Sequence, residues 1–278
     1  MKIFYKNHIG QTIDFMEWPY KISESDLYDY KWKYENRNSL TPKVTRFYRE
    51  LVEKSINVAV SAKTLEAYHV ALMHLYEVTE RDILSKSPGR LYVGEEYLTC
   101  YIVGSQKTNW HPGVAFLTNT FSIVSESGAW ILESNYSFYA RGQADVDGQD
   151  IYMDYPYDHA YDYASVILAY VASNKGFSEA DFDLTIIGPC SNPEITIAGH
   201  KYNVNCELES GELLRINSMT KKIYKVKVNG EQVNQFHLRN RESNVFQKIP
   251  EGNNIVTWDG SFSFNLTLFE GRSEPRWT

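Results

Sequence analysis

The strongest periodicity in the chain runs from Ser61 to Ser105, where a helical spacing of apolar residues gives way to an alternating one. Leu65, Tyr68, Leu72, Leu75 and Tyr76 recur at steps of three and four, so they share one face of a helix predicted over about 62–84. Ser61 or Thr64 can accept a hydrogen bond from the free N–H groups at its start, and Ser87-Pro88-Gly89 ends any continuation. From Leu91 the period becomes two. Tyr97, Thr99, Tyr101 and Val103 point one way, and Leu98, Cys100 and Ile102 the other. Both sets are largely apolar, which predicts a strand covered on both faces. One helix lying on a mostly β domain is the expectation.

The rest of the first half continues the β pattern. Residues 2–7 and 12–18 predict two short strands about the Asn7–Gln11 turn. Tyr28, Tyr30, Trp32 and Tyr34 then alternate with Asp29, Lys31, Lys33 and Glu35, a strand with one aromatic and one charged face. After the turn formers of Asn36–Pro42, a second long strand is predicted over Val44–Val60, carrying Phe47 and Tyr48 among charged residues. Together they make a hairpin arm. A two-stranded ribbon is marginal in water, so its aromatic face must pack on its own domain or on a neighbouring subunit. The mixed charges of the return strand fit a neighbour better than a dry core. Residues 114–124 and 129–139 predict two further strands.

Between Arg141 and Lys175 there is no lysine or arginine, but there are six aspartates (Asp145, Asp147, Asp150, Asp154, Asp158 and Asp162) interleaved with tyrosines. This segment divides the chain into a first body over 1–141, an acidic, tyrosine-rich connector over 142–163 and a second body over 164–278. In the second body, turn signals recur at Gly188-Pro189, Ala198-Gly199, Ser210-Gly211, Asn229-Gly230, Glu251-Gly252 and Asp259-Gly260. Short strands at that spacing predict an antiparallel sandwich, with a first strand over 164–173 and a type I′ hairpin at Asn229-Gly230.

Composition narrows the function. The 278 residues include 43% hydrophobic ones, enough for sizeable cores, and carry a net charge of −7, which argues against binding nucleic acid through phosphates. No run approaches the length of a membrane span, and MKIFYKNHIG lacks the apolar core of a secretory signal, so synthesis and residence in a cytoplasm are expected. Cys100, Cys190 and Cys206 form no close pair and are expected as buried free thiols. The 21 tyrosines and 6 tryptophans suit protein interfaces and sugar contacts alike.

Catalytic signatures are missing. There is no GxSxG elbow, HExxH helix or phosphate-cradling glycine loop, and the seven histidines are scattered. The aspartates around Gly148 match a calcium loop poorly, because Gln143 falls at its first position and Asp154 at its twelfth. No catalytic residue, metal or cofactor is therefore expected. Trp130 and Trp258 invite a sugar-stacking alternative, a lectin-like module for the bacterial cell surface.

Three stretches carry a resemblance to a known family. They are the helix with Pro88–Gly94 and Tyr97–Ile102; Asp154-Tyr155-Pro156-Tyr157-Asp158; and, in the second body, Gly188-Pro189, Asn192–Ile197, Gly211-Glu212, Lys225–Gly230 and Pro250–Asn253. In order and spacing the chain resembles the distal tail proteins of long-tailed, siphovirus-type bacteriophages and prophages. The resemblance implies a mainly β fold: an N-terminal β domain with one α-helix and a long hairpin arm, then a galectin-like antiparallel β-sandwich. It also implies a structural virion component without enzymatic activity. The N-terminal domain would form a hexameric ring of copies of itself, joining the tail tube protein to a tail tip or tail-associated protein and to receptor-binding proteins. Neither specific nucleic-acid binding nor a membrane is implied, and a negatively charged ring lumen would let DNA pass without sticking. The galectin signature His-x-Asn-Pro-Arg is absent, and His237-Leu238-Arg239-Asn240-Arg241 does not match it, so sugar binding does not come with the sandwich. The residues expected at the subunit interface are Tyr28, Tyr30, Trp32, Tyr34, Phe47 and Tyr48.

Overall fold

The computed structural model describes residues 1–37, 43–140 and 170–277. The acidic connector and most of the strand expected at 164–173 lie outside the described residues. Two compact units are formed, one from Met1–Leu132 with Gly271–Thr278, the other from Glu133–Glu270. The chain is mainly β, with a single α-helix among the described residues.

The strands from the first unit's segment are β1 (Ile3–Lys6), β2 (Thr12–Asp14), β3 (Tyr20–Ser25), β4 (Lys33–Arg37), β5 (Lys43–Tyr48) and β6 (Val52–Ser61). They are followed by helix α1 (Leu65–Ser85), β7 (Gly89–Val93), β8 (Glu96–Thr108), β9 (Phe116–Ser125) and β10 (Trp130–Phe138). An antiparallel path runs β3-β6-β9-β8-β7-β1-β2. Long β8 serves both halves of it. Its first residues pair with β7, its later ones with β9, and the register shifts between Ile102 and Gly104. Glu96, Tyr97, Leu98, Cys100 and Ile102 are buried, so the start of β8 is covered on both faces, but Val103 is 52% exposed.

Helix α1 lies on this sheet. Thr64 caps it, its hydroxyl accepting from the Ala67 N–H at 3.2 Å. The helix ends at Lys86, which takes the left-handed conformation (φ 54°), not at the Pro-Gly pair. The buried stripe is Tyr68, Ala71, Leu75, Val78, Thr79 and Asp82. Leu65 and Tyr76, expected on that face, are 42% and 58% exposed. With Leu72 and Ile83 they form a neighbouring row at steps of seven, four and seven, of which Leu72 is half-buried and packs against the core while the others are exposed.

The first core gathers these helix residues with Ile56, Val58 and Val60 of β6, Leu98 and Cys100 of β8, and Phe121 and Ile123 of β9. Trp130 is also buried there, at 1% exposure. One polar knot is embedded in it. Asp82, fully buried, accepts from the Tyr5 hydroxyl at 2.5 Å and from the His8 backbone N–H at 3.0 Å, with His8 Nδ1 2.5 Å away. Burial, then the bond to Asp82, raises the Tyr5 hydroxyl pKa far above its ordinary value.

The second unit's segment holds β11 (Tyr170–Asn174), β12 (Asp181–Ile187), β13 (Cys190–Ser191), β14 (Glu194–Ile197), β15 (His200–Asn203) and β16 (Glu207–Leu208). It continues with β17 (Leu213–Asn217), β18 (Lys222–Val226), β19 (Gln232–Asn234), β20 (Gly252–Thr257) and β21 (Ser263–Arg272). Two antiparallel sheets, β19-β18-β17-β12-β21 and β11-β20-β14-β15, face each other across one core. The alternation is plain in β12, where Phe182, Leu184 and Ile186 point inward between half-exposed neighbours. Trp258 belongs to this core. It is only 9% exposed, donates its indole N–H to the Phe262 carbonyl at 3.0 Å and packs edge-on against Phe138 and Phe264. Neither Trp130 nor Trp258 is therefore available to stack on a sugar.

The hairpin turns depart from the sequence expectation at one point. At Asn229-Gly230 only Gly230 has positive φ (83°), and Lys227 pairs with Glu231 around a wider loop. The two-residue turn with both central φ values positive is instead Ala198-Gly199 (51° and 79°), between paired Ile197 and His200. All three cysteines are free; Cys100 and Cys206 are buried as expected, whereas Cys190 is half-buried. Burial pushes the Cys100 thiol up to about 12 and those of Cys190 and Cys206 to about 11.

Candidate protein interface

The hairpin arm is built from β4 and β5, which among the described residues pair only with each other. Tyr34 sits directly opposite Phe47, and Lys33 opposite Tyr48, with a bulge between Glu35 and Asn36. Strand alternation therefore puts Tyr34 and Phe47 on one face and Tyr48 on the other. The arm is shorter than its alternation suggests. Tyr28 lies in a turn and Tyr30 and Trp32 in an irregular lead-in, while the return strand breaks at Arg49–Leu51 before β6. The break has a local cause: the carbonyls of Asp26 and Asp29 accept from the Lys54 ammonium, which folds the lead-in back onto β6. Burial lowers the Lys54 pKa, while Asp26 and Asp29 raise it.

Most of the aromatic residues of the arm face solvent. Tyr30 is 58% exposed, Trp32 42%, Tyr34 62% and Phe47 64%, and Tyr48 is half-buried. Val44 and Leu51, which are not among the six residues expected at the interface, add 40% and 56% exposed apolar side chains to the same arm. Two cation–π contacts cover the rings from within. The Arg49 guanidinium lies 4.4 Å over Trp32, and that of Arg46 5.7 Å over Tyr48.

Tyr28 behaves differently. Its ring stacks on Trp277, centroids 3.9 Å apart, and burial followed by the charges of Glu96 and Glu274 raises its hydroxyl pKa. It belongs to a clamp at the root of the arm that sequence reasoning did not find, because its members are far apart in the chain. Arg49 donates to the Ser273 hydroxyl at 2.9 Å. Buried Glu96 accepts from the Arg276 backbone N–H at 2.7 Å, with the Arg276 guanidinium at 3.3 Å and that of Arg272 at 3.9 Å.

In the second unit, the sheet surface opposite the core carries a row of hydrogen-bonding side chains. Register aligns Thr185, Arg215, Tyr224 and Asn234 across β12, β17, β18 and β19. A cleft of about 540 Å³ opens there, bordered by Asp183 and Phe236. Asp183 holds Arg215 by two hydrogen bonds, of 2.8 and 3.2 Å. Among the described residues no group of three or more metal-ligating side chains converges, and no helix is long and apolar enough to cross a membrane.

No family model matches the sequence, and no curated protein matches it significantly. Comparison of the fold with solved structures is more telling. The Dit protein (gp 19.1) of phage SPP1, reported as a paradigm of the hub adsorption apparatus in phages infecting Gram-positive bacteria, superposes with a TM-score of 0.62 at 11% identity. That match covers 98% of each chain. This chain has the fold of a phage hub protein. A chain of the phage P2 baseplate in its activated conformation with calcium matches with a TM-score of 0.66 at 12% identity, and its strontium counterpart with 0.65 at 12%, each covering 99% of both chains. The hub fold thus spans both units here, at a sequence identity near background.

Proposed function

We propose that this chain is a structural hub of a long-tailed phage or prophage tail, not an enzyme. It would assemble head to tail through its arm into a closed, hexameric ring that joins the tail tube to the tip or receptor-binding apparatus. The observation that carries this reading is the end-to-end likeness of both units to hub and baseplate chains. The exposed arm supports it. An arm that meets a different surface on the next copy makes a heterologous contact, which closes into a ring when the rotation allows. Tyr30, Trp32, Tyr34, Phe47 and Tyr48 supply that surface, and Tyr28 fixes its root. The test is immunogold labelling of tailed particles from a strain carrying the gene, together with electron microscopy of the purified chain. Label at the tail end remote from the capsid and ring-shaped particles are expected. Label along the tube or on the capsid overturns the placement, and assembly unaffected by Tyr34→Ala with Phe47→Ala overturns the role of the arm.

A second reading rests on the cleft of the second unit, where planar polar groups beside Tyr224 and Phe236 suit the hydroxyls and the ring face of a saccharide. It predicts retention of the protein on cell-wall polysaccharide, lost in Arg215→Ala and in Tyr224→Ala.

A further inference from the structure

In the cleft of the second unit, the carboxylate and amide acceptors are spent within the wall itself. Asp183 accepts from Nε and Nη2 of Arg215 at 3.2 and 2.8 Å and from the Asn217 amide at 3.3 Å. Asn217 Oδ1 accepts from the Thr220 N–H and hydroxyl at 2.8 and 3.0 Å, and Asn234 Oδ1 from the Phe236 N–H at 2.9 Å. What remains open is dominated by N–H groups: the rest of the Arg215 guanidinium, the Asn234 amide and the ammonium groups of Lys221 and Lys222. Both lysines are exposed. The nearby carboxylates serve other cations, Asp183 holding Arg215, Glu212 holding Lys225 and Glu231 holding Lys227, and neither Lys221 nor Lys222 forms an ion pair among the described residues.

We infer that this cleft selects an anionic saccharide, one bearing phosphate or carboxylate groups, over a neutral one. The inference rests on the second reading above, a saccharide in the cleft, and adds the charge of the ligand. A sugar hydroxyl both donates and accepts, so a neutral ring finds few acceptors left to receive its protons. Phosphate and carboxylate oxygens only accept, and charged donors bind them more strongly than neutral ones do. Size agrees, since about 540 Å³ falls within the range of about 300–1,000 Å³ usual for small-ligand sites. Charge agrees as well. The wall carries three cations, Arg215, Lys221 and Lys222, against one carboxylate, Asp183, on a chain whose net charge is −7. Attraction of an anion is therefore local to the cleft and not a property of the whole chain. At the aromatic border, Lys221 Nζ lies 5.7 Å over Phe246, which stacks on Phe236, and the Arg239 guanidinium lies 3.9 Å over Phe236. Positive charge thus flanks the rings on which a sugar face would rest.

The experiment titrates the isotopically labelled full chain at low salt with glucosyl phosphate, glucuronate, glucose and inorganic phosphate, following backbone amide shifts by NMR. Shifts are expected at Lys222, Tyr224 and Asn234, with both anionic sugars bound about tenfold more tightly than glucose. Added salt should shrink that preference. Lys221→Gln with Lys222→Gln should abolish it and leave the affinity for glucose unchanged, while unmoved resonances elsewhere show that the variant is folded. Equal affinities for glucose and the anionic sugars in the wild type, or a preference that survives the double substitution, overturn the inference and leave the saccharide reading standing. Inorganic phosphate bound as tightly as glucosyl phosphate makes the cleft an anion site only and overturns both. Absence of shifts with every probe also defeats both.

Discussion

Gly89 illustrates how much rests on one position. A Cβ built there would stand 2.3 Å from the Tyr5 hydroxyl oxygen and 2.6 Å from Asp82 Oδ2. Both atoms belong to the buried knot at the end of α1 and have no room to retreat. Gly89→Ala should therefore cost about 1–3 kcal/mol, as overpacking of a dense core does, read as a lowered urea midpoint with an unchanged slope. The sequence marked this glycine as a helix stop, but the need for glycine is set by a tyrosine 84 positions earlier, which local chemistry does not reveal. Glu212 is a second such residue. The N–H of Glu209 first, then the Lys225 ammonium at 2.6 Å, hold its carboxyl below the ordinary carboxylate range. A depressed carboxyl contributes stability that is present above its unfolded pKa and lost as pH falls through its folded one. Glu212→Gln should thus destabilise the chain at neutral pH and flatten the loss of stability below about pH 4. Urea melts of both proteins across that range check it. The tryptophans give the converse lesson, since a large ring on a sandwich strand fits a sugar platform or a core equally well until register decides.

At the scale of elements, period and capping residues located α1, and the turn signals of the second half located most of the strands that follow them. What periodicity overstated was the arm. Tyr28, Tyr30, Trp32 and Tyr34 alternate as a strand does, yet only Tyr34 lies in one, because Lys54 gathers the preceding carbonyls into a turn. The arm is held at its base, by the stack of Tyr28 on Trp277 and the reach of Arg49 to Ser273. Trp277→Ala should leave the cores intact but raise amide hydrogen exchange over residues 28–36. Unchanged exchange there would show that the clamp does not restrain the arm. Thr64→Ala should cost about 1 kcal/mol through loss of the cap on α1, measurable by chemical denaturation.

For the whole molecule, the two hydrophobic clusters have no member in common. Each unit therefore carries the means of its own stability. Trp258→Ala, a truncation worth about 3–5 kcal/mol in a packed core, should lower one calorimetric transition and leave the other in place. A single transition shifted as a whole would show the two units to be energetically fused. At 11–12% identity the likeness to hub chains survives in this arrangement rather than in residues. The repeated turn signals and the helix were legible in the sequence because they are local. The grouping of Gly271–Thr278 with a unit whose other residues end at Leu132 has no such local signal.

That return has a consequence for biosynthesis. A ribosome must have added Trp277 before Tyr28 gains its stacking partner, although Tyr28 left the exit tunnel long before. Nascent and prematurely terminated chains would carry the hairpin with the ring of Tyr28 uncovered, so that its root is completed only once translation has passed the codon for that tryptophan.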